Sequence, residues 1–325
     1  MGDHKKLRIF ITGGLGVIGN VLGKELRKRG HSVMSCDLYH SNNEVGFSLH
    51  SDVENPIYVR CDIREFRQLE RVFEELGPFD LVYHCAAEFG RWNGEDFYEN
   101  LWCTNAIGTK NLIRLQERFK FQMIFFSSSE VYGDWPDLMV ETVMDEYEIP
   151  QLNDYAMTKW VGEMQVRNSV QQFGTETVVV RLFNTYGPGE YYSPYRSVNC
   201  RFLYCALHGL PWVVYTGHYR TSTYLADTVN TIANIATKFK PSEVYNIAGI
   251  HYHSIEELSN TILKVTDADP KLVQYKESEI LTTQIKRVDI TKSIKDLKHK
   301  NSYDLETGIK FTAEWMRKVY SDSIK

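Results

Sequence analysis

The sequence predicts an α/β fold: a parallel sheet wound with helices on both faces, followed by a smaller α/β lobe. Three observations lead there. Short apolar runs rich in Val, Ile and Phe alternate with segments of helical period through the first half of the chain, the pattern of strands buried on both sides. A glycine-rich turn joins the first such run to the first helical segment. Past residue 185 the texture changes to GPGEYYSPYRS, a stretch of turn formers, and the elements after it are mixed.

Taken in order, Ile9-Phe10-Ile11 reads as a buried strand, and Val17, Ile18, Val21, Leu22 and Leu26 recur at helical spacing up to Gly30. Val33-Met34 is a second strand, and the polar residues 41–56 read as a loop. Ile57-Tyr58-Val59 is a third strand. Phe66, Leu69, Val72, Phe73 and Leu76 then line one face of a helix that Gly77 ends. Leu81-Val82-Tyr83 and Met123-Ile124-Phe125-Phe126 are further strands, with one helix over roughly 100–118 between them. A helix covers about 155–172, and Val178-Val179-Val180 is the next strand. Later, Val244-Tyr245-Asn246-Ile247 reads as a strand. Ser254-x-x-Glu257 reads as a capping box, opening a helix with Leu258 and Ile262 turned inward.

A chain of 325 residues suffices for two lobes, expected here as 1–185 and 186–325, with the strand near 244–248 returning to the first. Hydrophobic residues make up 43%, charged residues 24%, and the net charge is −5. That balance suits a soluble globular protein and lacks the basic excess of a nucleic-acid surface. The apolar runs are strand-sized, so no membrane span is expected. The first residues run into a strand without the apolar stretch of a signal peptide. The six cysteines are scattered with no Cys-x-x-Cys pair. They read as reduced thiols of a cytoplasmic protein, neither a disulfide frame nor a metal site.

The order strand, Thr12-Gly13-Gly14-Leu15-Gly16-Val17-Ile18-Gly19, helix is the local context that a dinucleotide pyrophosphate requires. Gly13 permits the tight turn, Gly16 lets the backbone approach the phosphates, and Gly19 lets the helix pack closely on the sheet. Val17 and Ile18 begin the helix, whose free N–H groups and dipole suit the phosphates. The first lobe is thus expected to be a Rossmann-type, doubly wound parallel sheet. Asp37 closes the second strand, 18 residues after Gly19. A carboxylate there accepts hydrogen bonds from ribose hydroxyls and repels a 2′-phosphate, so the expected cofactor is NAD rather than NADP.

Tyr155 and Lys159 stand four residues apart at the start of a helix and share one face. An ammonium beside a phenol, together with a positive nicotinamide, lowers the phenol from its usual value of about 10 and prepares it to take a proton from a hydroxyl. The pair belongs to an ordered set of segments: TGGLGVIG, CDIRE (61–65), VYHCAAE (82–88), NAIGT (105–109), SSSEVYG (127–133), YAMTK, RLFNTYGPG (181–189), YRTSTYLAD (219–227) and VYNIAG. With these the chain resembles, over nearly its whole length, the extended short-chain dehydrogenase/reductase family. Within that family it is similar to the NAD-dependent nucleotide-sugar epimerases, dehydratases and decarboxylases.

The resemblance implies roles. Asp62 and Ile63 flank the adenine, and Ala86 and Ala87 line the cofactor. Asn105 steadies the catalytic segment at the cofactor. Phe183 and Asn184 lie near the nicotinamide and the sugar phosphate. Arg220 pairs with the substrate pyrophosphate, for which a planar guanidinium is suited. Glu88 and Arg196 belong to the substrate side, and Ser128 meets the reacting hydroxyl. The family's reaction passes through a transient 4-keto sugar. Glu130 matches the glutamate with which 4,6-dehydratases take the C5 proton. Ser129 stands where the dTDP-glucose 4,6-dehydratases carry an aspartate as general acid. Ser128-Ser129-Glu130 also resembles the Thr-Ser-Glu of GDP-mannose dehydratases and of UDP-glucuronate decarboxylases. Dehydration therefore ranks slightly ahead of decarboxylation and of 4-epimerisation, with Tyr155, Lys159, Ser128, Ser129 and Glu130 as the catalytic set. A net NAD-dependent dehydrogenase or reductase, and a non-catalytic cofactor-sensing or RNA-associated protein on the same fold, are the alternatives. Retention of Tyr155 and Lys159 speaks against the last. The resemblance also implies a homodimer through the helices near 100–118 and 155–172. Thr216-Gly217-His218-Tyr219 departs from the Gly-Asp-Gly turn of many relatives, and His218 and His251 read as incidental surface histidines. Tyr191, Tyr192 and Tyr195 either stack on a ligand or pack.

Overall fold

The computed structural model describes residues 5–39, 57–277 and 279–323, so the loop expected over 41–56 lies outside the described residues. The chain runs through β1 (Arg8–Thr12), α1 (Val17–Lys28), β2 (Ser32–Asp37), β3 (Tyr58–Arg60), α2 (Phe66–Leu76), β4 (Leu81–His84), α3 (Arg91–Asp96), α4 (Tyr98–Trp102), α5 (Thr109–Phe119) and β5 (Gln122–Ser128). It continues with α6 (Val143–Glu146), α7 (Asp154–Phe173), β6 (Thr177–Leu182), β7 (Thr185–Tyr186), α8 (Val198–Leu207), β8 (Trp212–Tyr215), β9 (Tyr219–Thr221) and β10 (Thr223–Tyr224). It ends with α9 (Leu225–Lys238), β11 (Val244–Ile247), β12 (Tyr252–Ser254), α10 (Ile255–Thr266), β13 (Val273–Lys276), α11 (Thr291–Leu297) and α12 (Leu305–Val319).

Among the described residues seven strands form one sheet in the order β3-β2-β1-β4-β5-β6-β11, and every neighbouring pair is parallel. Alternate residues of a strand point to opposite faces. Ile9 and Ile11 accordingly pack with Leu22, Leu26, Val229 and Ile232 under α1 and α9, while Phe10 packs with Leu69, Phe73 and Leu112 under α2 and α5. Both faces are covered, which is why these strands carry no polar alternation. A separate core joins Phe202, Leu203, Trp212, Leu258, Ile262, Ile309 and Met316 from α8, β8, α10 and α12. Strand order reverses between β1 and β4, so the loops after Thr12 and His84 diverge and leave a crevice at their carboxyl ends.

Several elements differ from the sequence expectation. The stretch expected as one helix over 100–118 is α4, a π-helical turn over Cys103–Gly108, and α5. The wider turn carries Asn105 inward, where its amide bonds the Glu88 backbone on both sides (2.9 Å each) and Thr158 Oγ1 at 3.0 Å. Only half of the expected capping box forms. Ser254 Oγ accepts from Glu257 N at 3.0 Å, but the Glu257 carboxylate meets His251 Nε2 at 2.6 Å instead. Tyr191 packs edge-on to Trp315, and Tyr192 stacks on Tyr204 at 3.8 Å between centroids, so both belong to the aromatic packing around α12. All six cysteines are free. Among the described residues no helix is long and apolar enough to cross a membrane.

Candidate active site

At the carboxyl ends of β1 and β4 lies a cavity of about 670 Å³. Its first wall is the glycine loop. Gly13 has φ +74°, and a Cβ there would come within 2.7 Å of Ala86 N. A Cβ on Gly19 would stand 2.2 Å from the Gly13 carbonyl. The loop therefore folds only without side chains at these two points. The N-terminus of α1 carries no side-chain cap, which leaves its first N–H groups for a phosphate. Asp37 binds the loop itself: its carboxylate accepts from Leu15 N at 3.0 Å and Leu38 N at 2.8 Å. Burial raises the Asp37 carboxyl, and these backbone bonds oppose that rise. Asp62, Ile63, Ala86 and Ala87 continue the same wall, Asp62 being paired with Arg64 at 2.7 Å. A helix N-terminus without a side-chain cap beside a half-buried carboxylate is the donor and acceptor set a dinucleotide requires, so the residues fit NAD.

The reacting end is built by β5 and α7. Asn153 caps α7 through Ala156 N at 2.8 Å, so the helix starts just before Tyr155 and aims its first turn at the cavity. Lys159 follows one turn on, and both line the wall with Ser128, Ser129 and Glu130. Lys159 Nζ donates to the Phe126 carbonyl at 2.8 Å and lies 5.9 Å from the centre of the Tyr155 ring. Burial lowers this lysine to about 8. Protein groups alone do not bring the phenol down. Burial raises Tyr155 to about 12, only partly opposed by its hydrogen bond with Ser128, because the Lys159 ammonium is directed at a backbone carbonyl.

Glu130 has a partner that no motif announced. Lys286, 2% exposed, donates to the Glu130 carboxylate and to Ser129 Oγ at 3.2 Å. Burial opposes the Glu130 charge, but Lys286 and then Arg91 outweigh it and hold the carboxyl down at about 2. Burial in turn brings Lys286 down to about 8, against the pull of Glu130.

On the substrate side Glu88, Asn184, Arg196 and Arg220 all line the cavity. Arg220 donates to the carbonyls of Tyr219 (2.8 Å) and Gln284 (3.0 Å) and to Thr282 Oγ1 (3.1 Å), with burial lowering it to about 10. The Arg196 guanidinium lies 4.1 Å from the Phe89 ring centre. Glu88 is tied by Asn93 (3.1 Å) and Asn100 (2.8 Å).

Two expected contacts fall behind the wall. Asn105 does not line the cavity, because its amide is used on Glu88 and Thr158. Phe183 is fully buried against Tyr132, so its ring is core. A third correction runs the other way. His218 is not a surface histidine: it is 2% exposed and lines the cavity. Lys286, Arg91, Arg201 and Glu279 also line it. Arg91 could have been noticed, since it follows the VYHCAAE segment closely. Lys286 had no local signal at all.

The family model of the NAD dependent epimerase/dehydratase family matches residues 9–248, and the chain belongs to that family. A UDP-N-acetyl-alpha-D-glucosaminuronate decarboxylase of Bacillus cytotoxicus is 30% identical over 98% of this chain and 100% of that protein. A dTDP-glucose 4,6-dehydratase of Salmonella typhimurium is 26% identical over 95% of this chain and 92% of that one. The structure of UDP-glucose 4-epimerase from Thermotoga maritima with UDP-glucose is similar at a TM-score of 0.83 and 25% identity, over 96% of this chain and 99% of that chain. The chain is therefore an NAD-dependent enzyme whose relatives are nucleotide-sugar decarboxylases, dehydratases and epimerases.

Proposed function

We propose that the enzyme decarboxylates a nucleotide-linked uronic acid through a 4-keto sugar. The observation that carries this reading is Lys286 on Glu130. Dehydration, which the sequence ranks first, needs a base for the C5 proton and an acid for the C6 hydroxyl. A carboxyl held at about 2 is a weak base, and Ser129 stands in place of the aspartate that dTDP-glucose 4,6-dehydratases use as the acid. Decarboxylation removes no proton from C5. It needs one delivered there, and Lys286 at about 8 is a competent donor near neutral pH.

NAD, when bound, would supply the acceptor for the C4 hydride and the source from which that hydride is restored. Tyr155 accepts the C4 hydroxyl proton, Ser128 holds that oxygen, and Lys159 keeps a positive charge beside the phenol. With C4 a ketone, the C5–C6 bond breaks, its electron pair moves into an enolate over C5 and C4, and carbon dioxide leaves. The Lys286 ammonium then protonates C5, with Glu130 holding it in place, and Tyr155 returns its proton to the C4 oxygen. Arg196, Arg201 and Arg220 form no salt bridge among the described residues, which suits a diphosphate. The glycine loop, Asp37, Asp62, Ile63, Ala86 and Ala87 are the residues we assign to NAD. Nucleic acid has no part in this reading.

The test is a panel of UDP-, dTDP-, GDP- and CDP-linked uronic acids and hexoses read by mass spectrometry. Carbon dioxide loss from a uronate is expected. Water loss from a hexose with no loss from any uronate would refute the proposal. We also propose a homodimer. Ile107 on the π turn and Met157 and Met164 on α7 are exposed, an apolar set suited to pairing with a second copy. Sedimentation as a monomer would count against it.

A further inference from the structure

We infer that Arg91 is the residue that recognises the sugar carboxylate, and that Glu279 holds the guanidinium for that task. This rests on the uronate reading above. Arg91 opens α3, and the next turn of that helix lies against the start of α7: a Cβ on Gly94 would stand 3.4 Å from Tyr155 N. Arg91 thus stands on an element that borders α7, and its charge also reaches Arg220, Arg201 and His218 across the cavity. It lines the cavity and is 17% exposed. Its Nη2 meets Glu279 Oε2 at 2.6 Å, and the other Glu279 oxygen is 3.5 Å from Trp92 Nε1. A guanidinium has five N–H donors in a planar fork. Among the described residues the Glu279 pair is the polar contact Arg91 makes, so most of the fork stays uncommitted. Its charge is felt at the reacting end, where it depresses Glu130 after Lys286 does and also opposes the charges of Arg220 and Lys286.

A free guanidinium edge on the cavity wall, with its charge bearing on Glu130, suits a carboxylate on C5 through its planar fork and its charge. A hexose presents only a hydroxymethyl group there. Glu279 orients Arg91 but also partly cancels its charge, so the two residues act in opposite directions on uronate binding. A purely structural ion pair would affect every ligand alike.

The experiment uses the NAD-loaded full chain with Tyr155→Phe to prevent turnover, titrated calorimetrically with UDP-glucuronate, UDP-glucose and UDP. Arg91→Gln is expected to weaken UDP-glucuronate roughly 10–100-fold while leaving UDP-glucose and UDP within about threefold. Glu279→Gln keeps an acceptor and removes the charge, and it should tighten UDP-glucuronate about 3–10-fold without changing UDP-glucose. Arg91→Lys, which keeps the charge and loses the fork, should fall between parent and Arg91→Gln. Retention of NAD reports that each variant is folded. If the parent prefers UDP-glucuronate and Arg91→Gln keeps that preference, this inference fails alone. If Arg91→Gln weakens UDP equally, Arg91 serves the diphosphate and the inference also fails. Equal parent affinities for UDP-glucuronate and UDP-glucose overturn the uronate reading and this inference with it.

Discussion

The Lys286 ammonium donates to the Glu130 carboxylate across 156 residues of sequence, and the pair closes the reacting end of the cavity. Burial brings Lys286 down to about 8, so its proton is present below that pH and lost as the pH rises through it. Turnover should therefore show an alkaline limb near 8. Lys159 is also lowered to about 8, so the limb has two candidate owners. Arginine does not titrate in this range, and Lys286→Arg is expected to shift the limb upward. Lys286→Met should reduce steady-state turnover by about 10²–10⁴, while bound NAD is still reduced and the first carbon dioxide at each site is still released. A limb that stays in place in Lys286→Arg belongs to Lys159 and argues against Lys286 as the proton donor.

Protein groups alone do not prepare Tyr155 as a base, because burial raises its phenol to about 12 while Lys159 is directed at the Phe126 carbonyl. Tyr155→Phe should nonetheless leave the glycine loop and NAD retention unchanged. Single-turnover formation of enzyme-bound NADH, followed by absorbance, is expected to fall by roughly 10²–10⁴. An unchanged rate would mean that another group takes the C4 hydroxyl proton.

Which parts of the site were legible follows from how local each one is. Gly13, Gly16 and Gly19 form a turn whose chemistry lies within eight residues, and Asp37 is readable because β2 must end beside that turn. Tyr155 and Lys159 lie one helical turn apart, and Ser128 ends β5 with Ser129 and Glu130 in the turn that follows. Lys286 is different: a lysine in QIKRVDITKS reads as a surface residue, since lysine is seldom buried without a partner, and its partner lies on another element. The Arg91–Glu279 pair and the buried position of His218 depend likewise on chain segments meeting in space. Asn105 and Phe183 show the opposite error. Motif position placed them near the site, but a π-helical turn and the pleat of the chain decide which way a side chain faces.

Asp37 joins the two halves of the cofactor wall, since its carboxylate holds Leu15 N of the glycine loop and Leu38 N at the end of β2. Asp37→Ala removes a charged acceptor from two backbone donors and the repulsion of a 2′-phosphate. NAD affinity should fall about 10–100-fold. Preference for NAD over NADP should narrow at the same time. Fluorescence titration of both cofactors checks this, and an unchanged preference would mean that selectivity is set elsewhere.

Beneath the site, Arg181 and Glu163 form a salt bridge at 2.7 Å with side chains 0% and 1% exposed. Glu163 also accepts from Ser127 Oγ at 2.6 Å, and Arg181 donates to Tyr132 Oη and to the Glu141 carbonyl, each at 2.9 Å. The pair thus links α7, which carries Tyr155 and Lys159, to the turn after β5, which carries Glu130. Removing one partner leaves a buried charge uncompensated, and Arg181→Met should cost about 3–5 kcal/mol in denaturant unfolding. Replacing both with apolar residues of similar volume, Arg181→Met with Glu163→Leu, should restore much of that stability. Activity is expected to stay low in the double variant, because the polar link between the two catalytic segments is gone even when the core is filled. Full recovery of turnover along with stability would show that packing alone sets the distance between Tyr155 and Glu130.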